Sequence, residues 1–317
     1  MSDTSAVISI GTNSTRMLLV DFSAKRFGLF GDHATRIIKQ RSTGTRIGEG
    51  LRESGQLDEA AMRRTLEVVQ SYMNELRGKT ERLHVIATSA VRRAQNADDF
   101  SRQIDDITNC DLNILDGKDE AAASFRGAVT SLDDVEDQCV GVIDAGGGST
   151  EYAVGEHEHA EKSLSCEIGA VRLTDWFPSL AGHEGMVDNE TIDGARAKAR
   201  ELLERITSLP SVIAVAVVGG SATTALSVVR GHHARFGDQT LRRDKLRDAF
   251  NMLCEMPCEK RKTVPGMNPQ RADILPAGML ILDTALELLG FEEATVSYTD
   301  LLFGYLLLER EGSLYLT

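Results

Sequence analysis

The sequence predicts an α/β protein built from two related domains. In the first half of the chain, apolar runs with a strand period alternate with segments of helical period, the order of an α/β domain. Two glycine turns about half a chain apart also share residues in register. Ile8-Ser9-Ile10-Gly11-Thr12-Asn13-Ser14-Thr15 superimposes on Ile143-Asp144-Ala145-Gly146-Gly147-Gly148-Ser149-Thr150 with Ile, Gly, Ser and Thr matched. Such a repeat suggests a duplicated domain closing on a ligand from both sides. A chain of 317 residues has room for two sizeable cores.

The elements follow in order. Ala6 to Ile10 and Met17 to Phe22 alternate as strands flanking the first turn. Asp58 is a helix N-cap, and Ala61, Met62, Leu66, Val69, Met73 and Leu76 keep a helical period until Gly78. Leu83 to Ala87 returns to strand, and Thr88 to Arg93 leads into one helix through Phe100 and Ile104. A short strand at Leu112 to Leu115 precedes a helix entered at Asp116-Gly117-Lys118-Asp119-Glu120-Ala121, a natural hinge. The acidic stretch Asp133 to Asp137 reads as an exposed loop. Helices are expected at Asn189 to Ile206, Arg243 to Met256 and Ile274 to Leu289.

Chemistry concentrates in the segment Asp144-Ala145-Gly146-Gly147-Gly148-Ser149-Thr150-Glu151, which follows the apolar run Val140 to Ile143 as strand, turn, strand. Consecutive glycines let a backbone approach an anion with free N–H groups, and carboxylates at both ends can hold a divalent cation directly or through water. Phosphoanhydride chemistry needs that combination. A third glycine turn, Gly219-Gly220-Ser221, follows the buried run Val212 to Val218.

A net charge of -13 disfavours nonspecific nucleic-acid binding, so an anionic substrate must meet a local basic cluster. No apolar run approaches the roughly 20 residues that cross a bilayer, and Met1 to Ala6 lacks a secretion signal; a cytoplasmic protein with no membrane partner is expected. The five cysteines have no paired zinc spacing, and reduced thiols are the default. Cys254 and Cys258 fall one helical turn apart but have no His partner nearby. His157-Glu158-His159 reads as a solvated hairpin turn.

The chain resembles the exopolyphosphatase and guanosine pentaphosphate phosphohydrolase (Ppx/GppA) family of the actin, sugar kinase and heat-shock 70 superfamily. The matching motifs are Ile10-Gly11-Thr12-Asn13-Ser14, Ala87-Thr88-Ser89-Ala90-Val91-Arg92, Gly117-Lys118-Asp119-Glu120-Ala121, the Asp144 to Glu151 loop, Ile168-Gly169-Ala170-Val171-Arg172-Leu173, Val218 to Thr224, and Arg271-Ala272-Asp273-Ile274 with Ala277-Gly278. The resemblance implies two ribonuclease H-like domains with the active site in the cleft between them. The expected division is 1–126, completed by a C-terminal helix at 299–317, and 127–298. It also implies that Glu120 is the general base that activates water, and that Asp144 and Glu151 are catalytic acidic residues serving magnesium and the position of that water. Phosphate is expected on Gly11, Thr12, Asn13, Ser14, Arg92, Gly146, Gly147, Gly148, Ser149, Gly219, Gly220 and Ser221. Arg93, Arg16 and Arg172 could add positive field, although Arg172 reads equally as a structural ion-pair partner.

Two departures stand out. Where the family has an acidic residue before the first glycine loop this chain has Ser9, which also occupies the register of Asp144. Where members read Ser, Asp, two residues, Leu, Arg, Glu, Gly near the C-terminus, this chain reads Ser297-Tyr298-Thr299-Asp300-Leu301-Leu302-Phe303-Gly304. Leu302 and Phe303 suit the packing of a helix rather than an ion pair.

The expected activity is magnesium-dependent release of orthophosphate from inorganic polyphosphate, short chains favoured, or from guanosine pentaphosphate. A regulator that binds guanosine tetra- or pentaphosphate and has lost turnover is the alternative, and a sugar or acid kinase is a third reading by fold analogy. Family members often form homodimers, but no apolar stripe in the sequence marks an interface.

Overall fold

Seven consecutive buried residues, Thr4–Ile10, form β1, with small hydroxyl residues among the apolar ones, as a strand covered on both faces allows. Thr15–Asp21 (β2) returns antiparallel to it, and Arg36–Thr43 (β3), alternately half-buried and exposed over its first residues, pairs antiparallel with β2 as an edge strand. The computed structural model describes residues 3–23, 36–129, 132, 138–233 and 239–313. The expected acidic loop at 133–137 lies outside the described residues. By its contacts the chain divides into two units, Met1–Ala123 with Leu302–Thr317, and Ser124–Leu301.

In the first unit, Leu51–Ser54 (α1) is followed by Glu59–Leu76 (α2). Asp58 caps α2, its carboxylate accepting the amides of Ala60 and Ala61 at 2.9 Å each. Arg82–Ala87 (β4) runs parallel to β1, and Leu112–Ile114 (β5) parallel to β4. The helix expected from Thr88 through Ile104 is in fact two, Ser89–Arg93 (α3) and Ala97–Thr108 (α4). Ala94 leaves the helical region at ψ 135° and breaks them. Gly117–Ala128 (α5) crosses the division between the units. The first sheet has the order β3-β2-β1-β4-β5. Its core joins Ile8, Met17, Leu19 and Val85 of the sheet to Val69 and Leu76 of α2 and Phe100 and Ile104 of α4.

The second unit repeats the winding. Val140–Ala145 (β6), Thr150–Glu156 (β7) and His159–Cys166 (β8) form an antiparallel meander. Ala170–Trp176 (α6), Asn189–Leu203 (α7), Ala214–Val218 (β9), Gly219–Arg230 (α8), Thr240–Arg242 (β10), Arg243–Cys254 (α9), Cys258–Arg261 (α10), Leu275–Leu289 (α11) and Glu293–Val296 (β11) follow. The second sheet has the order β10-β11-β9-β6-β7-β8. With β6 parallel to β9 and β9 parallel to β11, the five strands β8-β7-β6-β9-β11 reproduce the directions and order of the first sheet, and β10 is added beyond β11. The duplication read from eight residues extends to the whole sheet.

Helix α11 is buried on nearly every side and packs on α6, α7, α8 and α9, so it is the apolar centre of this unit. Cys254 ends α9 and Cys258 opens α10 after Pro257, so they do not share the expected helical turn. All five cysteines are free. His157-Glu158 does turn between β7 and β8, and Glu158 meets the buried Arg126 at 2.8 Å. Leu301–Glu311 (α12) closes the described chain, with Leu302 and Phe303 almost fully buried. No helix among the described residues is long and apolar enough to cross a membrane.

Candidate active site

Both glycine turns close in the same way. The Gly11 amide donates to Ser14 O at 3.0 Å, and the Gly146 amide to Ser149 O at 3.0 Å. Each turn heads a hairpin of matched register: Ser9 faces Arg16 across β1 and β2, where Asp144 faces Glu151 across β6 and β7. Directly opposed residues project to the same face of a sheet, with Cβ atoms about 5 Å apart. The second hairpin therefore carries two carboxylates side by side, and the first carries a hydroxyl and a guanidinium.

In the first unit, Gly11, Thr12, Asn13 and Ser14 form the turn between β1 and β2; the last three are buried. The Thr88 amide donates to Ile10 O at 3.2 Å, which seats the start of α3 beside this turn. One helical turn on, Arg92 donates to Leu115 O at 2.6 Å and to the carboxylate of Glu120. Arg92, expected as a phosphate ligand, is thus engaged with the expected base. Glu120 lies in the first turn of α5, which Asp116 caps by accepting the amides of Lys118 at 2.7 Å and Asp119 at 2.8 Å. Burial, reinforced by Asp116, raises the neighbouring Asp119 above the usual carboxylate range.

In the second unit, Ser124 donates to Asp144 Oδ2 at 2.7 Å and Ser165 to Glu151 Oε1 at 2.8 Å. Each carboxylate is held by a hydroxyl, and both stand at the ends of the Gly146, Gly147, Gly148, Ser149 turn. Gly219, Gly220 and Ser221 do not form a third loop: they are the first turn of α8, directly after β9. Gly219 has φ +85°, and a Cβ there would lie 2.8 Å from Asp144 Oδ1. Asp144 is therefore beside the positive end of a 12-residue helix, where its charge is stabilised.

Close approach recurs around this loop. A Cβ on Gly169 would lie 2.4 Å from Gly147 C, one on Gly278 2.7 Å from Ser221 Oγ, and one on Gly220 2.0 Å from the Arg271 guanidinium. The helices α6, α8 and α11 converge because glycine stands at each contact. The sequence reading gave Ser124, Ser165 and Arg271 no role. Ser124 follows Glu120 by four residues on α5 and Arg271 sits in a quoted motif, so each had a local signal, whereas Ser165 is identified only by strand register. Arg172 is buried, and its Nη1 donates to Glu167 O at 2.7 Å and to Glu167 Oε2 at 2.6 Å, the ion-pair role weighed for it.

The donor set is hard oxygen: two carboxylates and two hydroxyls. That suits a small divalent cation, which commonly takes one or two carboxylates and completes its shell with water and substrate oxygens. Among the described residues no group of three or more acidic, His or Cys side chains is arranged to hold a metal ion.

Two like-wound units, each with a glycine turn heading its hairpin, and paired carboxylates on one of them, define a phosphate-handling enzyme of the two-domain actin-like class. The pattern of the Ppx/GppA phosphatase family matches residues 30–311, and the chain belongs to that family of hydrolases. It is 32% identical over 319 aligned positions to exopolyphosphatase 2 of Mycobacterium tuberculosis, covering 94% of this chain and 96% of that protein. It is 25% identical to the guanosine-5'-triphosphate,3'-diphosphate pyrophosphatase of Aeromonas salmonicida, over 98% of this chain and 58% of that one. The crystal structure of the Aquifex aeolicus Ppx/GppA family member superimposes with a TM-score of 0.76 at 26% identity, covering 98% of this chain and 99% of that one.

Proposed function

We propose that the protein hydrolyses terminal phosphoanhydride bonds and releases orthophosphate, with inorganic polyphosphate of short chain length or guanosine pentaphosphate as substrate. The observation that carries this reading is the cross-strand pairing of Asp144 with Glu151 at the two ends of a glycine turn. Such a turn offers backbone amides to phosphoryl oxygens, and the carboxylates would hold magnesium. When bound, magnesium would offset the negative charge of the substrate oxygens.

Glu120 is the proposed base. It takes a proton from water as the water oxygen bonds to the terminal phosphorus. The bridging P–O bond breaks, and its electron pair leaves with the shortened chain. The leaving group is already good, so alignment and charge neutralisation carry most of the catalysis. Arg92 holds the Glu120 carboxylate in one orientation, and the Leu115 carbonyl in turn holds Arg92.

Orthophosphate release is to be measured on polyphosphates of graded length and on guanosine pentaphosphate, with and without magnesium. Release from at least one, lost in Glu120→Gln, is expected; full activity in that variant would remove Glu120 from the mechanism. A catalytically weakened regulator that binds guanosine tetra- or pentaphosphate is the second reading. It is favoured by Ser9, which sits in the register of Asp144 and brings no charge to the first hairpin. Tight nucleotide binding without phosphate release in calorimetry would establish it.

A further inference from the structure

The first glycine turn is gripped from behind by the segment Thr45–Gly48. The Gly48 amide donates to Thr12 O at 3.0 Å, and the Arg46 amide to Asn13 O at 3.0 Å. Arg46 holds this geometry with a left-handed φ of +52°, a conformation that L side chains rarely adopt. Thr45 locks the segment to the hairpin through a 2.9 Å contact between its hydroxyl and that of Thr15, and Arg64 Nε donates to Thr45 O at 3.3 Å.

A trans peptide unit is planar, so its C=O and the N–H that follows point in opposite directions. With the carbonyls of Thr12 and Asn13 turned onto the Arg46–Gly48 backbone, the amides of Asn13 and Ser14 must point away from it. Neither amide donates to a protein acceptor among the described residues. The Asn13 side-chain oxygen is also buried without a hydrogen-bond partner.

The second turn is built by the same rule from different material. Gly146 O accepts the Ala170 amide at 2.9 Å, and Gly147 O accepts those of Val171 at 2.9 Å and Arg172 at 3.2 Å. The Gly147 and Gly148 amides are thereby turned away from α6, and among the described residues neither donates to a protein acceptor. Each turn also has one glycine pressed against its back. Gly169 lies on Gly147, and a Cβ on Gly48 would lie 2.5 Å from Thr12 Cγ2 and 3.3 Å from Thr12 O.

We propose that Thr45–Gly48 is a positioning clasp: it holds two carbonyls of the first glycine turn so that the amides of Asn13 and Ser14 are presented to an oligophosphate, with Gly48 as the residue that permits the contact. This deepens the reading given under Proposed function and rests on it for the class of ligand. The clasp residues act through the turn and do not themselves touch the phosphate.

The test is calorimetric binding of inorganic tripolyphosphate to the full chain, with orthophosphate release followed in parallel. The wild type is compared with Gly48→Ala, with the double variant Thr12→Ser/Gly48→Ala, and with Gly78→Ala. Gly78 has φ +70° and nothing within 4 Å of its would-be Cβ, so its variant carries backbone strain without touching the turn. Tilting two amides away from an anion is expected to weaken binding about tenfold or more in Gly48→Ala. Removing Thr12 Cγ2 in the double variant should restore most of it, and Gly78→Ala should bind as the wild type does.

Wild-type affinity in Gly48→Ala overturns the clasp, as does a double variant no better than the single one. Should Gly48→Ala fail to fold, the double variant decides: binding at wild-type strength supports the clasp, and a folded protein without binding overturns it. A wild type that binds tripolyphosphate yet releases no orthophosphate from it or from guanosine pentaphosphate overturns the hydrolase reading alone. A wild type that binds none overturns the clasp.

Discussion

Arg92 and Glu120 form an ion pair inside the first unit, with the guanidinium anchored by Leu115 O and the carboxylate almost fully buried. The pair brings together residues 28 positions apart and compensates a charge that burial would otherwise penalise. Glu120→Gln keeps the shape and the hydrogen bond but loses the base, so kcat should fall by about 10²–10⁴ with little change in melting temperature. Arg92→Met removes a charge partner of the buried Glu120 and should also destabilise the fold by about 3 kcal/mol. Steady-state phosphate release alongside thermal melts separates the two, and equal losses of stability would contradict these roles.

Asp144 and Ser9 occupy the same place in the two hairpins, and only Asp144 carries charge. Asp144→Asn should raise the magnesium concentration for half-maximal phosphate release and lower kcat by at least about tenfold, whereas Ser9→Ala should change either by less. Ser124→Ala removes one neutral-to-charged hydrogen bond to Asp144 and should fall between them. Magnesium titrations of the three variants give the order; a Ser9 variant as damaged as Asp144→Asn would show that the first hairpin shares the metal.

Gly219 cannot accept a side chain without strain at φ +85°, and the added Cβ would press on Asp144 Oδ1. Gly219→Ala should cost about 1–2 kcal/mol of stability from the backbone alone. It should also raise the magnesium concentration for half-maximal phosphate release, as Asp144→Asn does. A variant that loses stability but titrates with magnesium as the wild type does would separate Gly219 from the carboxylate.

Asp283 on α11 gives a pH signature away from the site. Burial pushes its carboxyl up, but hydrogen bonds from Arg247, Arg196 and Arg243 outweigh that and hold it below the usual carboxylate range. Because the folded-state value is depressed, the pair network contributes stability that is fully present above the unfolded value and is lost as pH falls through the folded one, below about pH 4. Denaturant melts of wild type and Asp283→Asn should show a gap that is constant near neutrality and narrows on acidification below that point. A gap that widens on acidification would reverse the sign.

Much of the fold was legible because its signals are local. Asp58 announces the start of α2 by its own side chain, and Ile8 to Ile10 and Val140 to Ile143 mark the strands before the glycine turns through an apolar run. The break of α3 from α4 was not legible, because nothing in Ala94 disfavours a helix; its backbone is turned out by tertiary contacts. Gly219 and Gly220 read as a turn since glycine favours turns, yet packing on Asp144 and Arg271 places them in a helix. β3 and β10 are short or half-exposed edges without a strong apolar period, and they went unread.

The sequence by itself determined the chemistry on offer: a repeated glycine turn, two carboxylates at the ends of one copy, a serine in place of a carboxylate in the other, and the family to which these motifs belong. The tertiary structure alone decided which groups hold them. Strand register sets Ser165 against Glu151, helix packing sets Gly219 on Asp144, and a left-handed Arg46 lets Gly48 clasp the first turn. Those partners are distant in sequence, and local propensity carries no information about pairings that exist only once sheets and helices have packed.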